Sequence, residues 1–191
     1  LARLASQGEL AADASAVLEE PPSPATGQLA AAPPTVLDTS TTESPMHLIT
    51  PVSDDGETVA PDIIRGLLDA GWYVFGEHTA GRQELKPGDR ICFYQSTVGV
   101  VAECEVASRA ELHPLPRPDL AHDPERFPWR FQVRKPRYFF DNPTVIDRDL
   151  RARLDAFSGR DLSKSWAWFV QGTRKINSHD FGVLTQQEDV P

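Results

Sequence analysis

The four Trp, three Tyr and nine Phe of this 191-residue chain all lie at or beyond Trp72. A core needs large apolar side chains, so a stretch this long without a single ring is not expected to build one. The folding unit must therefore sit in the later two thirds. Charge divides the same way. Residues 1–60 carry one basic residue (Arg3) and nine acidic ones, whereas residues 61–191 carry 18 basic and 19 acidic. The net charge of −9 would argue against a nucleic-acid partner, but nearly all of it lies outside the part able to fold. Residues 1–20 read as one or two short helices with a weak apolar stripe, stopped by Pro21-Pro22. Residues 21–45 hold six prolines among Ala, Ser and Thr, the composition of a linker. With Leu1 at its start, the chain is expected to be a piece of a longer one. Residues 1–45 form a helical and Pro-rich N-terminal arm, and 46–191 the domain. No run approaches the roughly 18 apolar residues of a membrane span, and no leader pattern opens the chain. A cytoplasmic location with two reduced thiols is expected.

The domain reads as short strands with few helices. Met46–Thr50 is a strand closed by Pro51, and Pro61 opens a helix with Ile63, Ile64, Leu67 and Leu68 on one face and Gly71 as its stop. Trp72–Phe75 is extended, residues 76–84 are a polar loop, and Lys86-Pro87-Gly88-Asp89 is a turn. Strands 89–95 and 98–107 make a hairpin through Ser96-Thr97, with Cys92 facing Cys104. Residues 112–128 contain five prolines and read as a loop. Strict alternation follows, with Phe127, Trp129, Phe131 and Val133 inward and Arg126, Arg130, Gln132 and Arg134 outward. Asp147 caps a helix carrying Leu150, Leu154 and Phe157 that ends at Gly159. Ser165–Gln171 reads as the last strand, and Ser178 caps a final helix with Phe181 and Leu184. With no repeated strand–helix–strand unit, the fold class is α+β, a small mixed β-barrel with short flanking helices.

The order of these pieces carries a resemblance. The segment WYVFGEHTAGRQELKPGDRICFYQS, residues 72–96, resembles the EVE domain, a member of the PUA-like superfamily: a Trp before a Gly-containing polar loop, then a "KPGD…FY.S" strand. Phe169–Ile176 and His179-Asp180-Phe181 resemble that family's closing strand and helix. The match spans about 46–187. It departs at Glu77-His78-Thr79-Ala80, where the family often has Asn-Tyr-Gln-Ala, and at Gln95, where His is frequent.

The resemblance implies a PUA-like barrel that reads a modified base in nucleic acid, most readily 5-methyl- or 5-hydroxymethylcytosine in DNA flipped into an aromatic pocket. Such domains look like the sensor parts of modification-dependent restriction proteins, with the effector outside this segment. The implied pocket draws on Trp72, Tyr73, Phe75, Gly76, Glu77, His78, Tyr94, Gln95, Ser96, Trp166 and Trp168. Phosphates would meet Arg82, Arg126, Arg130, Arg134, Lys135, Arg137, Arg174 and Lys175. The residues taken alone leave other readings open. Trp72 and Phe75 read more readily as core than as pocket walls, the 126–137 cations as the solvated face of an edge strand, and Glu77-His78 as plain loop. A reader of modified RNA (N6-methyladenine-like) and a non-catalytic protein-interaction module remain as alternatives. Hydrolase motifs (G-x-S-x-G, Walker A, H-E-x-x-H) are absent from the sequence. Glu103 and Glu105 share a strand face without a catalytic partner, and Lys86 sits in a turn. The segment is read as a binding module that uses no cofactor and no metal.

Overall fold

The computed structural model describes residues 44–113 and 124–187. The helical reading of 1–20, most of the Pro-rich linker and the middle of the 112–128 loop lie outside them. In chain order the elements are β1 (His47–Val52), α1 (Ala60–Asp69), β2 (Trp72–Phe75), β3 (Arg90–Gln95), β4 (Gly99–Val106), β5 (Glu111–Leu112), β6 (Trp129–Tyr138), α2 (Arg148–Arg153), β7 (Arg174–Ile176) and α3 (Ser178–Leu184). They make one mixed sheet in the order β2-β6-β4-β3-β1-β7, with β5 beside β6. The sheet curls into a half-barrel flanked by short helices, in keeping with the α+β mixed barrel expected from the order of strands and helices. β1 and β3 run parallel, joined across α1 and β2, and the other pairs are antiparallel.

The near-continuous apolar runs of β1, β3 and β4 follow from burial on both faces. Leu48, Ile91, Phe93, Val101 and Cys104 join Ile64, Leu67 and Leu68 of α1 in one core, with Tyr73, Phe75 and Phe131 stacked through it. Ile49, Cys92, Tyr94 and Val100 point the other way, onto Leu154, Phe157, Phe169, Phe181 and Leu184. Alternation therefore separates the two cysteines. Cys92 lies opposite Glu103, and Cys104 opposite Ile91, so the thiols occupy different cores rather than facing each other. Burial pushes both thiols well above the usual range.

Caps and turns follow the local chemistry. Asp147 accepts the Leu150 N–H at 2.8 Å to start α2, as its position predicts. The helix is shorter than its pattern suggests: it breaks at Leu154, whose ψ is 131°, and continues as a 3₁₀ turn, Asp155–Phe157. Asn177, not Ser178, caps α3, its side chain accepting from Asp180 N at 2.7 Å. Ser165–Gln171 is not a strand. Trp166 and Ala167 carbonyls accept from Phe169 and Val170, closing a 3₁₀ turn (Ala167–Phe169) that drives Phe169 into the second core. The aromatic run that resembles an alternating strand is thus a plug, and the closing strand is β7, antiparallel to β1.

Gly99 follows the hairpin turn with φ +135°, and an added Cβ would lie 2.4 Å from the Thr144 carbonyl oxygen. That carbonyl accepts from Val100 N in a two-way bridge that ties β4 to the 144 segment. Gly99→Ala is expected to cost about 1–3 kcal/mol, from backbone strain and displacement of that bridge. A denaturant midpoint indistinguishable from wild type would contradict it.

Candidate nucleic-acid interface

β1 and β3 run side by side to Val52 and Gln95 at their shared C-terminal end. Pro51 sits there between two clefts. The first, of about 680 Å³, is walled by Tyr94, Trp166, Val52 and Val170, with Ser53, Ser96 and Gln171 at its polar positions. Tyr94 and Trp166 meet edge to face, ring centroids 6.2 Å apart. Burial raises the Tyr94 phenol above its ordinary value, so it stays a neutral hydroxyl at physiological pH. No charged residue lines this cleft among the described residues.

The second cleft, of about 720 Å³, lies under the Gly76–Ala80 loop. Its floor is the edge of the first core, Tyr73 and Phe75, and Phe127 forms part of its wall. The hydroxyls of Thr50 and Thr173 bond to each other at 2.6 Å beside it. Gly76 lets the loop pass close to the Arg126 carbonyl, 3.3 Å from where a Cβ would stand. Glu77, His78 and Glu125 give this cleft an acidic and titratable rim that the first lacks.

The residues singled out from the sequence are thus distributed over several places. Tyr94, Ser96 and Trp166 share the first cleft; Tyr73, Phe75, Gly76, Glu77, His78 and Arg126 line the second. Trp72 packs against the first core and lines neither. Gln95 pairs with Val52 and Gly99 and also lines neither. Trp168 lies in a third cavity, against Phe157 and Phe169.

Among the phosphate candidates, Arg130 is a correction. It is 5% exposed, because the first half of β6 is held between β2 and β5 and is not an edge. Arg134, Lys135 and Arg137 lie on an exposed face but are already paired with carboxylates. A bulge opposite Glu103–Glu105, with Lys135 at φ +52°, lets Arg134 and Lys135 both reach Glu105. Their cations hold the Glu105 carboxyl below its usual range. Arg137 donates to Glu103 at 2.6 Å; that carboxylate is 1% exposed and also receives Arg90 and Gln187. Lys175 pairs with Glu84, and Arg82 stacks on Trp129 while donating to the Thr79 carbonyl. The sequence reading missed Pro51, Ser53 and Gln171, whose types carry no signal, Arg151 on α2, and Arg160 and Lys164, which the basic and aromatic interleaving of 160–174 could have revealed.

One triad has metal-ligand chemistry: atoms of Asp155, His179 and Asp180 lie within 4.8 Å of one another. Their bonds serve the fold instead. Asp180 accepts the N–H groups of Asp155 and Ala156 at 2.6 and 3.1 Å, and Asn177 donates to Asp155.

No protein-family model matches the chain, and no curated protein does either. Solved structures similar to it include human THYN1 in complex with DNA containing 5-methylcytosine, at 14% identity over 76% of this chain and 99% of that one, with a TM-score of 0.43. The Pho92 YTH domain in complex with m6A is similar at 13% identity, 76% and 88% coverage and a TM-score of 0.47. A hypothetical protein from Leishmania major is similar at 15% identity, 75% and 94% coverage and a TM-score of 0.43.

Proposed function

We propose that this domain reads nucleic acid by taking one modified base out of the stack and holding it in the Tyr94–Trp166 cleft. The observation that carries this is the pairing of a half-exposed indole with a buried phenol across an uncharged cavity. A flipped base needs flat apolar walls and a few groups for its polar edge. Trp166, Tyr94, Val52 and Val170 are such walls, and Ser53, Ser96 and Gln171 both donate and accept. A neutral base enters without stranding a charge, whereas a phosphate there would be desolvated unpaired. Among the described residues the lining holds no carboxylate, imidazole or thiol, which favours binding over catalysis.

The favoured ligand is 5-methyl- or 5-hydroxymethylcytosine in DNA. As part of the same proposal the domain works in the cytoplasm beside an effector module outside the described residues. Titration of the full chain against matched DNA and RNA strands, each unmodified or carrying methylcytosine, hydroxymethylcytosine or N6-methyladenine, tests it. One methyl group in a fitted niche is worth about 1–3 kcal/mol, so a preference of about 10- to 200-fold for a cytosine-modified DNA is expected. Preference for N6-methyladenine RNA would reassign the ligand. Equal affinity for all strands would leave a general nucleic-acid binder, and binding to none a protein-interaction module.

A further inference from the structure

Ser165 and Trp166 line the first cleft on one side and a smaller cavity of about 340 Å³ on the other. This third cavity is basic. Arg151, Arg160 and Lys164 line it with Phe157 and Trp168; of the one carboxylate in its lining, Asp161, Oδ1 accepts the backbone N–H and hydroxyl of Ser163 at 2.9 and 2.7 Å, so the cations outnumber it three to one. Trp168 carries two guanidiniums, with Arg160 Cζ 4.4 Å and Arg174 Cζ 4.8 Å from its ring centroid. Among the described residues, Arg160, Lys164 and Arg174 have no carboxylate partner, in contrast to the glutamate-bound cations of β6. The Arg174 Nε is buried with no hydrogen-bond partner among the described residues. Its burial and the neighbouring Arg160 charge both press the group below the usual guanidinium value. Cations gathered on one ring without a counter-charge repel each other, and a bound anion relieves that repulsion.

We propose that this cavity is the phosphate subsite of the reader: a strand whose base fills the Tyr94–Trp166 cleft lays its flanking backbone phosphate against Arg160 and Lys164, with the Arg174 guanidinium on the Trp168 ring adding to the positive field, an assignment that rests on the base-reading role above. Trp166 then stands between base and phosphate, and the strand leaves the cleft towards α2 and not along β6. The opposite direction, under the 76–80 loop, would bring phosphates to Glu77 and Glu125 with Arg126 as the one guanidinium in the lining.

Salt titration of the full chain tests this, with single-stranded DNA oligonucleotides that are unmodified or carry 5-methylcytosine. Arg160 and Lys164 are both exposed, so the charge-reversed pair Arg160→Glu with Lys164→Glu leaves both cores untouched. It is expected to weaken binding of both strands equally, by about 10-fold or more at low salt, and to flatten the log–log salt slope by about one unit. The ratio between modified and unmodified strands should not move. Arg134→Glu with Lys135→Glu, the same charge change on β6, is expected to alter affinity and slope far less. Unchanged affinity and slope in the Arg160/Lys164 pair, or an equal loss in the β6 pair, overturns the subsite. A wild-type ratio of one with a slope that still responds to the Arg160/Lys164 reversal sinks the base pocket and keeps the subsite. Wild-type protein that binds neither strand overturns both.

Discussion

Trp166→Ala lowers affinity for a modified-base strand by about 5- to 140-fold, the range set by about 1–3 kcal/mol of stacking per base. The indole is half-buried, meets Tyr94 edge to face and receives Arg151 over its ring. Its removal deletes the flat wall while leaving Ser53, Ser96 and Gln171 to meet the base edge. Affinity for the modified strand should therefore fall further than for the unmodified one, and the preference should shrink towards one. Trp166→Phe keeps a flat face and should retain part of the preference, which separates lost stacking from lost packing. An unaltered preference in Trp166→Ala, together with its loss on substitution of Phe127 or Thr173, would move the base to the neighbouring cleft under the 76–80 loop.

Phe131→Ala is expected to destabilise the domain by about 3–5 kcal/mol, the range for emptying a fully buried aromatic site. Phe131 is entirely buried on β6, paired with Tyr73 of β2, and its ring lies 5.0 Å from that of Phe75 and 5.9 Å from that of Tyr73. Few domains hold more than about 5–15 kcal/mol in total, so the loss is a large share of the margin. Urea unfolding should show a lower midpoint with an unchanged slope. A loss under about 1 kcal/mol would mean that the Tyr73–Phe75–Phe131 cluster relaxes around the hole and does not set the sheet's packing. Because Tyr73 and Phe75 floor the loop cleft and not the Tyr94–Trp166 cleft, base preference should persist wherever the variant stays folded.

Local chemistry was readable wherever a residue acts on near neighbours. Gly71 stops α1 at φ +75°, Asp147 caps α2, and the Lys86–Asp89 turn closes through the Asp89 carboxylate, which accepts Lys86 N at 2.9 Å. That carboxylate also accepts Met46 N at 2.8 Å from 43 residues away, a bond that no local pattern announces. The alternation in 126–134 placed Trp129, Phe131 and Val133 on the core side of β6, but the strand begins at Trp129, after a 3₁₀ turn at Pro124–Arg126, and runs on to Tyr138. It misjudged Arg130, because alternation tells which face a side chain takes and not whether another strand covers it. The aromatic spacing of 165–171 misled for a related reason: Trp166 and Trp168 two apart fit a strand, yet the 3₁₀ turn satisfies the backbone without a partner strand and buries Phe169.

The amino-acid sequence by itself determined β1, α1, β2 and the β3–β4 hairpin in their order, the turn at Lys86–Asp89 and the Asp147 cap, and the aromatic and polar types from which a base pocket can be built. These depend on composition and on interactions within a few residues. Only the tertiary structure decided which of those residues meet. It placed Tyr94 beside Trp166, set the Tyr73–Phe75 loop cleft apart from them across Pro51, buried Arg130, and sent Cys92 and Cys104 to opposite cores. It also paired the conspicuous basic run of β6 with Glu103 and Glu105, and left the scattered Arg160, Lys164 and Arg174 near Trp168 without carboxylate partners among the described residues. The reason is physical: pairing register and sheet curvature bring together residues 70 or more positions apart, as with Tyr94 and Trp166, and the charge available to a ligand is what remains after those encounters.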